Sequence, residues 1–292
     1  MPDPAASSPG AIPPVSSRDT PRFRSVDQQR ALAAAFQGQG ADYDRLRPGY
    51  PAPVIDGLVE QLPDGARDVV DLGAGTGKLS VELVARGLGV TAVDPSSSML
   101  DAARAAAEGT ATSSSGSFHT RVASAEDTGL PDDSADLVTV AQAWHWFDTE
   151  AACHEIARIL RPGGLLALIW NSLDVQIPWV HRYSRIMHAG DVYRDDFTPP
   201  LGGLFHQRER VVHRWEDPRT TQELIDLART RSYVITAAPE RREKVLSNLD
   251  WYLHEHLEHE RGSIVPLPYR TDLFVAATAP NVEAPEPSGP EA

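Results

Sequence analysis

Apolar and polar positions along this chain follow two rhythms. Short, almost continuous apolar runs read as strands buried on both faces: residues 68–72 (DVVDL), 89–93 (GVTAV), 135–143 (ADLVTVAQA) and 165–170 (LLALIW), with SFHTRV at 117–122 as a further strand. Between them the apolar positions recur at helical spacing. Val54, Ile55, Leu58, Val59 and Leu62 share one face, and Leu79, Leu83 and Val84 share the next, closed by Gly87 as a C-terminal cap. Residues 96–107 form another helical pattern, and 148–160 a third, capped by Asp148 and stopped by Arg161-Pro162-Gly163-Gly164.

Strands that alternate with helices predict a doubly wound (Rossmann-like) α/β fold, a mostly parallel sheet with helices on both faces. Past Trp170 the pattern loosens. An aromatic and histidine-containing stretch runs from Asn171 to about Phe205, VVHRW at 211–215 reads as a strand, and helices are expected over about 220–230 and 239–257. A late strand, YRTDLFVAAT at 269–278, is expected to return to the sheet, so that the intervening helices form a cap. Ahead of the core, 25–37 reads as a helix and the proline-interrupted 41–51 as a loop. Residues 1–24 are rich in Pro, Ala and Ser, and 279–292 in Pro and Glu; both read as disordered tails around one domain over 25–278, with its core at about 36–171 and the cap and closing strands at about 172–278.

The formal charge of −14 over 292 residues repels phosphate backbones, so no nucleic-acid partner is expected. The single cysteine, Cys153, excludes an internal disulfide and reads as a small buried residue on a helix. The N-terminus lacks the basic-then-apolar pattern of a secretory leader, and no run reaches membrane-spanning length, which predicts a cytoplasmic protein without membrane association. Oligomeric state is not legible.

The candidate chemistry starts at VVDLGAGTGKLS, residues 69–80. Gly73 and Gly75 match the first two glycines of a dinucleotide fingerprint, but Lys78 stands where its third belongs. A phosphate loop would need Gly at 72 and Ser or Thr at 79, where the chain has Leu72 and Leu79. Asp71 adds a negative charge that opposes a pyrophosphate at this turn, and Asp94 ends the second strand, where an acid can accept from both ribose hydroxyls. The turn therefore suits a nucleoside with a positively charged extension.

Five ordered blocks sharpen this: D-L-G-A-G-T-G at Asp71–Gly77, V-D-P at Val93–Pro95, A-E-x-x-x-L-P-D-x-S-x-D at Ala125–Asp136, A-Q-A-W-H-W-F-D at Ala141–Asp148 and R-I-L-R-P-G-G at Arg158–Gly164. Their order resembles class I S-adenosylmethionine-dependent methyltransferases, in particular the small-molecule type 11 branch and its trans-aconitate methyltransferase-like members. The likeness covers about residues 36–171, including Y-x-x-x-R-P-x-Y-P at Tyr43–Pro51. It implies S-adenosyl-L-methionine as cofactor and a small molecule as methyl acceptor at O, N or C, the alternatives being a non-catalytic S-adenosylmethionine-binding protein or an RNA methyltransferase. It also implies that Gly73, Ala74 and Gly75 admit the methionine part, that Asp71 helps hold its ammonium, and that Asp94 takes the ribose hydroxyls with Pro95 against the adenine. Ala125 and Glu126 would meet the adenine edge, Gln142 would lie beneath the methionine portion, and Tyr43 with Arg47 or Arg45 would close over the site. Ser124 departs from the family, which often has Asp there, so adenine recognition is expected to be looser or to use Glu126.

Methyl transfer from a sulfonium is an in-line displacement, so alignment and exclusion of water matter more than covalent chemistry, and no metal is expected. His145 is the candidate base for a hydroxyl or amine nucleophile, because an imidazole titrates near working pH. Trp144 and Trp146 read as wall or core beside it. Trp179, His181, Arg182, Tyr183 and His188 are expected to shape an acceptor pocket. His254, His256 and His259 lack the i,i+4 spacing of a helical metal pair and read as a solvated face.

Overall fold

The computed structural model describes residues 46–110, 116–189 and 195–279. The expected first helix, both tails except Ala279, and Tyr43 and Arg45 lie outside these residues. No helix among the described residues is long and apolar enough to cross a membrane.

The described chain begins with α1 (Ala52–Val59), β1 (Asp68–Leu72), α2 (Lys78–Ala85), β2 (Gly89–Asp94), α3 (Ser97–Thr110), β3 (Phe118–Val122) and β4 (Ala135–Ala141). It continues through α4 (Thr149–Ile159), β5 (Leu160–Leu173), α5 (Pro178–Ile186), β6 (Phe205–Thr220), α6 (Thr221–Leu227), α7 (Ser232–Ile235), α8 (Pro239–Trp251) and β7 (Ile264–Thr278). The strands order as β3-β2-β1-β4-β5-β7-β6, the mostly parallel arrangement expected of a doubly wound fold. Neighbours β1 and β2, β1 and β4, β2 and β3, and β4 and β5 all pair in parallel. The order reverses between β1 and β4, and ligands of such sheets bind outside the carboxyl ends of the strands at that switch.

Contacts divide the described residues into two units. The larger holds 46–110, 116–171, 198–213 and 271–279. Its core packs Ile55 and Leu58 of α1 and Leu79 and Leu83 of α2 with Val69, Val90, Leu137, Ile169 and Val275 of the sheet. The period-2 and period-3.6 apolar positions thus share one interior, at roughly 1.5–3 kcal/mol per fully buried aliphatic side chain. Local chemistry ends the elements where it should. The Asp148 side chain accepts from Ala151 N at 3.1 Å to cap α4, and Gly87 closes α2 at φ +84°.

The expected stop at Arg161–Gly164 takes a different form. These residues belong to β5, whose register against β4 jumps from Ala135↔Leu160 to Leu137↔Leu165, so the segment bulges out of the ladder. Arg161 pins it, with its guanidinium 2.8 Å from both Asp136 Oδ1 and Asp68 Oδ2.

The second unit holds 172–189, 195–197 and 214–270. The stretch from Asn171, irregular by its sequence, contains α5, which buries Val180, His181, Tyr183 and Ser184, with Met187 buried just past its end. Tyr183 donates to Leu224 O of α6 at 2.6 Å. A capping box starts α6: Glu223 N donates to Thr220 Oγ1 at 3.2 Å while Thr220 N donates to Glu223 Oε2 at 2.8 Å. The helix expected over 239–257 is α8 followed by a π turn, Tyr252–His256. There His254 Nδ1 lies 2.9 Å from His259 O, and the His256 ring stacks on Trp251 and Tyr252. Among the described residues no group of His, Cys, Asp and Glu is arranged to hold a metal ion.

Candidate active site

From Leu72 the chain turns through Gly73, Ala74, Gly75, Thr76 and Gly77 into α2, with φ of +65°, +56° and +79° at the three glycines. The left-handed values alone favour glycine. Space adds separate reasons. A Cβ on Gly73 would lie 2.6 Å from Ala143 Cβ and 3.2 Å from the Phe147 ring, so this turn and the loop after β4 press together there. A Cβ on Gly77 would lie 2.8 Å from Ala103 Cβ of α3. A Cβ on Gly75 would meet nothing within 4 Å, which makes Gly75 the point of the turn that faces open space.

The amide donors of the turn decide what it can grip. Gly73 N and Ala74 N both donate to Val93 O, at 2.8 and 3.1 Å. Gly75 N donates to Asp94 Oδ2 at 3.0 Å, and Gly77 N donates to Ala74 O at 2.9 Å. A phosphate cradle needs such N–H groups to converge on the anion. Here they are committed within the protein.

Two carboxylates flank the turn. Asp71 is fully buried at the end of β1, where Ser80 Oγ donates to its Oδ2 at 2.6 Å and Thr139 Oγ1 donates to its Oδ1 at 2.8 Å. Burial pushes its carboxyl up to about 6 despite these hydroxyls, and the negative Asp94 adds to the rise. Both Asp71 oxygens therefore tie β1 to α2 and β4, besides any part in holding an ammonium. Asp94 also sits above the ordinary carboxylate range, because burial outweighs the Ser96 and Gly75 amides donating to it. Ser96 N donates to its Oδ1 at 2.8 Å. Asp94 is half-buried and Pro95 exposed.

The remaining sequence-selected residues stand on two neighbouring loops. After β3, Ala125 is buried, Ser124 is exposed, and Glu126 Oε1 accepts from Asp148 N at 3.0 Å, so Glu126 fastens its loop to the start of α4. Thr128, two positions on, donates from N and Oγ1 to Glu155 Oε1 at 2.9 and 2.5 Å. Sequence reading passed over the Thr128–Glu155 pair, because its members are 27 residues apart.

After β4, Gln142 adopts φ +57°, unusual for a side chain with a Cβ. It is held by Gln142 N donating to Ile169 O at 2.9 Å and Gln142 Nε2 donating to Asn171 O at 2.7 Å. Asn171, also absent from the expected set, donates to Gly49 O at 2.8 Å and accepts from Thr271 Oγ1 at 2.6 Å.

A single 3-10 turn, Trp144–Trp146, presents His145 half-buried with its ring 5.2 Å from that of Trp146. Trp144 is core: it is 2% exposed, donates from Nε1 to Pro200 O at 3.0 Å and meets Phe147 edge-on. Cys153 is buried on α4, which pushes its thiol up to about 11.

The family profile described as methyltransferase domain matches residues 70–168, the span that carries these loops. An uncharacterized methyltransferase of Mycobacterium tuberculosis is 43% identical over 251 residues, covering 86% of this chain and 98% of that one.

The chain belongs to the methyltransferase family.

An uncharacterized methyltransferase-like protein of Schizosaccharomyces pombe is 30% identical, covering 84% of this methyltransferase and 96% of the relative. A solved structure assigned as a type II methyltransferase from Anaeromyxobacter dehalogenans superposes with a TM-score of 0.56 at 26% identity, over 79% of this chain and 96% of that one. The methyltransferase uses S-adenosylmethionine. Its turn fits that molecule on geometry alone: spent amide donors, two acids, and open space at Gly75 favour a cationic nucleoside over a diphosphate.

Proposed function

We propose that this methyltransferase transfers the methyl group of S-adenosylmethionine to a small-molecule acceptor at an O, N or C nucleophile, in the cytoplasm. The observation that carries the reading is the Gly75–Asp94 contact, in which the glycine turn donates to an acid, while the Gly73, Ala74 and Gly77 amides are also spent within the protein. Acidity of the whole chain, −14, disfavours a nucleic-acid acceptor. The resemblance to trans-aconitate methyltransferase-like proteins supports a small acceptor.

When bound, S-adenosylmethionine supplies a methyl group already activated for displacement. Asp94 would hold the ribose hydroxyls, with Pro95 beside the base and Ala125 and Glu126 at its edge. Gly73, Ala74 and Gly75 would let the backbone come close to the methionine portion, above Gln142. Asp71 contributes negative potential to the turn. His145 would accept the proton of a hydroxyl or amine acceptor, which contributes about 10²–10⁴-fold where proton removal limits the rate. Alignment supplies most of the remainder.

The test is incubation of the full chain with methyl-labelled S-adenosylmethionine and fractionated metabolites, followed by identification of the labelled product. Label in a small-molecule fraction above a boiled control is expected. Label confined to RNA, or to no fraction, overturns the acceptor assignment.

A further inference from the structure

The second unit carries a groove of about 870 Å³ that belongs entirely to its own residues. Two helices supply its charge. Arg182 and Arg185 project from α5, three residues apart, and Arg241 and Lys244 from α8 at the same spacing, so each pair lies along one helix face. All four residues are exposed. None of them has an ion-pair partner among the described residues, in a chain whose other arginines are widely paired with acids. Among the described residues no carboxylate lines the groove; Glu240, Glu243 and Asp250 share α8 but lie outside the lining, and Asp250 is taken by Arg261. Four formal positive charges thus face one open space on a protein of net charge −14.

A second observation points the same way. His181 lines this groove, yet the residue is only 8% exposed, and its Nε2 has no hydrogen-bond partner. A buried imidazole nitrogen without a partner is unfavourable, and a ligand oxygen would satisfy it. His188, also in the lining, stacks its ring on Tyr233 at 3.9 Å, and its backbone holds φ +53° just past the end of α5. Burial holds His188 below the ordinary imidazole range, and the positive Arg185 and Arg241 hold it lower still.

We propose that this groove is a binding site for a small polyanion, a molecule carrying two or more carboxylate or phosphate groups. Guanidinium forks from two helices grip separate anionic groups, Lys244 adds a point charge, and His181 Nε2 donates or accepts at the floor. The site is independent of the S-adenosylmethionine turn, every residue of which belongs to the other unit.

Isothermal titration of the full chain at low salt with citrate, with pyrophosphate, and with the uncharged triethyl ester of citrate tests the assignment. One-to-one binding of citrate or pyrophosphate, absent for the ester and weakened by added salt, is expected, and the tighter of the two anions identifies the group recognised. The Arg185→Ala/Arg241→Ala variant should lose about tenfold or more in anion affinity, with S-adenosylmethionine affinity unchanged as evidence that the protein is intact. Should that variant fail to fold, the imidazole NMR signals of His181 and His188 in the unmodified chain provide the second reading, and both should move when the anion is added. Absence of binding by either anion, equal affinity in the folded variant, or unmoved histidine signals would overturn the proposal, whatever the outcome of the methyl-transfer assay.

Discussion

Asp94 accepts a hydrogen bond from the Gly75 amide at 3.0 Å, so the acid that ends β2 and the glycine turn that follows β1 act as one piece. The contact ties the turn to β2 and spends the Gly75 amide on a carboxylate.

Asp94→Ala should therefore weaken S-adenosylmethionine binding twice over, by removing the proposed ribose acceptor and by freeing the Gly75 amide. A loss of about tenfold to a hundredfold in affinity is expected, since hydrogen bonds to charged groups contribute about 1.5–3 kcal/mol. Calorimetry on the folded variant checks it, and unchanged affinity would refute the role.

Gly73→Ala and Gly75→Ala separate packing from conformation. Both positions have positive φ, but only at Gly73 does the added methyl meet a neighbour, Ala143 Cβ at 2.6 Å. Gly75→Ala should cost about 1 kcal/mol from strain alone, and Gly73→Ala about 2–4 kcal/mol. Denaturant unfolding should rank them in that order; equal losses would sink the packing argument.

Asp71 gives stability a pH dependence of unusual sign. Its carboxyl titrates at about 6 in the folded chain against an ordinary 3.8, so between those values the native state binds more protons than the unfolded one. This group's contribution is greatest below 3.8 and is lost as pH rises to about 6, on the order of 1–3 kcal/mol in total. The stability difference between the wild type and Asp71→Asn should follow that curve and stay flat above pH 7. A difference independent of pH between 4 and 6 would remove the buried-carboxylate account.

Glu155 is the opposite case. Burial works against its charge, but Arg158 and Thr128 overcome that and hold the carboxyl down to about 2. Its stabilisation is present above the ordinary 4.5 and is lost as pH falls toward 2. Glu155→Gln should lower stability at pH 7 by about 1–3 kcal/mol and loosen the loop at Thr128. Faster amide exchange at Thr128 is the local readout.

His145→Ala should slow turnover on a hydroxyl or amine acceptor by about 10²-fold or more, with cofactor affinity within about twofold. Intact turnover would reduce His145 to a positioning role.

Much of the core was legible because strands buried on both faces cannot alternate, and their uninterrupted apolar runs stand out between helical patterns. Two elements escaped for physical reasons. The run of Val180, Tyr183, Ser184 and Met187 has helical spacing, but His181, Arg182, Arg185 and His188 between them obscured it. Only VVHRW of β6 was visible, because that strand ends the sheet order and leaves most of its side chains half-buried or exposed, which removes the apolar signal.

The amino-acid order by itself determined the doubly wound core, the glycine turn and its acids, because each depends on periodicity, left-handed backbone or charge within a few residues. Only the tertiary structure decided what those groups do. Ser80 and Thr139 reach Asp71 from 9 and 68 positions away, Asp148 meets Glu126 across 22, and Arg182 and Arg185 of α5 line one groove with Arg241 and Lys244 of α8. Hydrogen bonds and fields act through space, and no local pattern in a chain records which distant partners folding will bring within 3 Å.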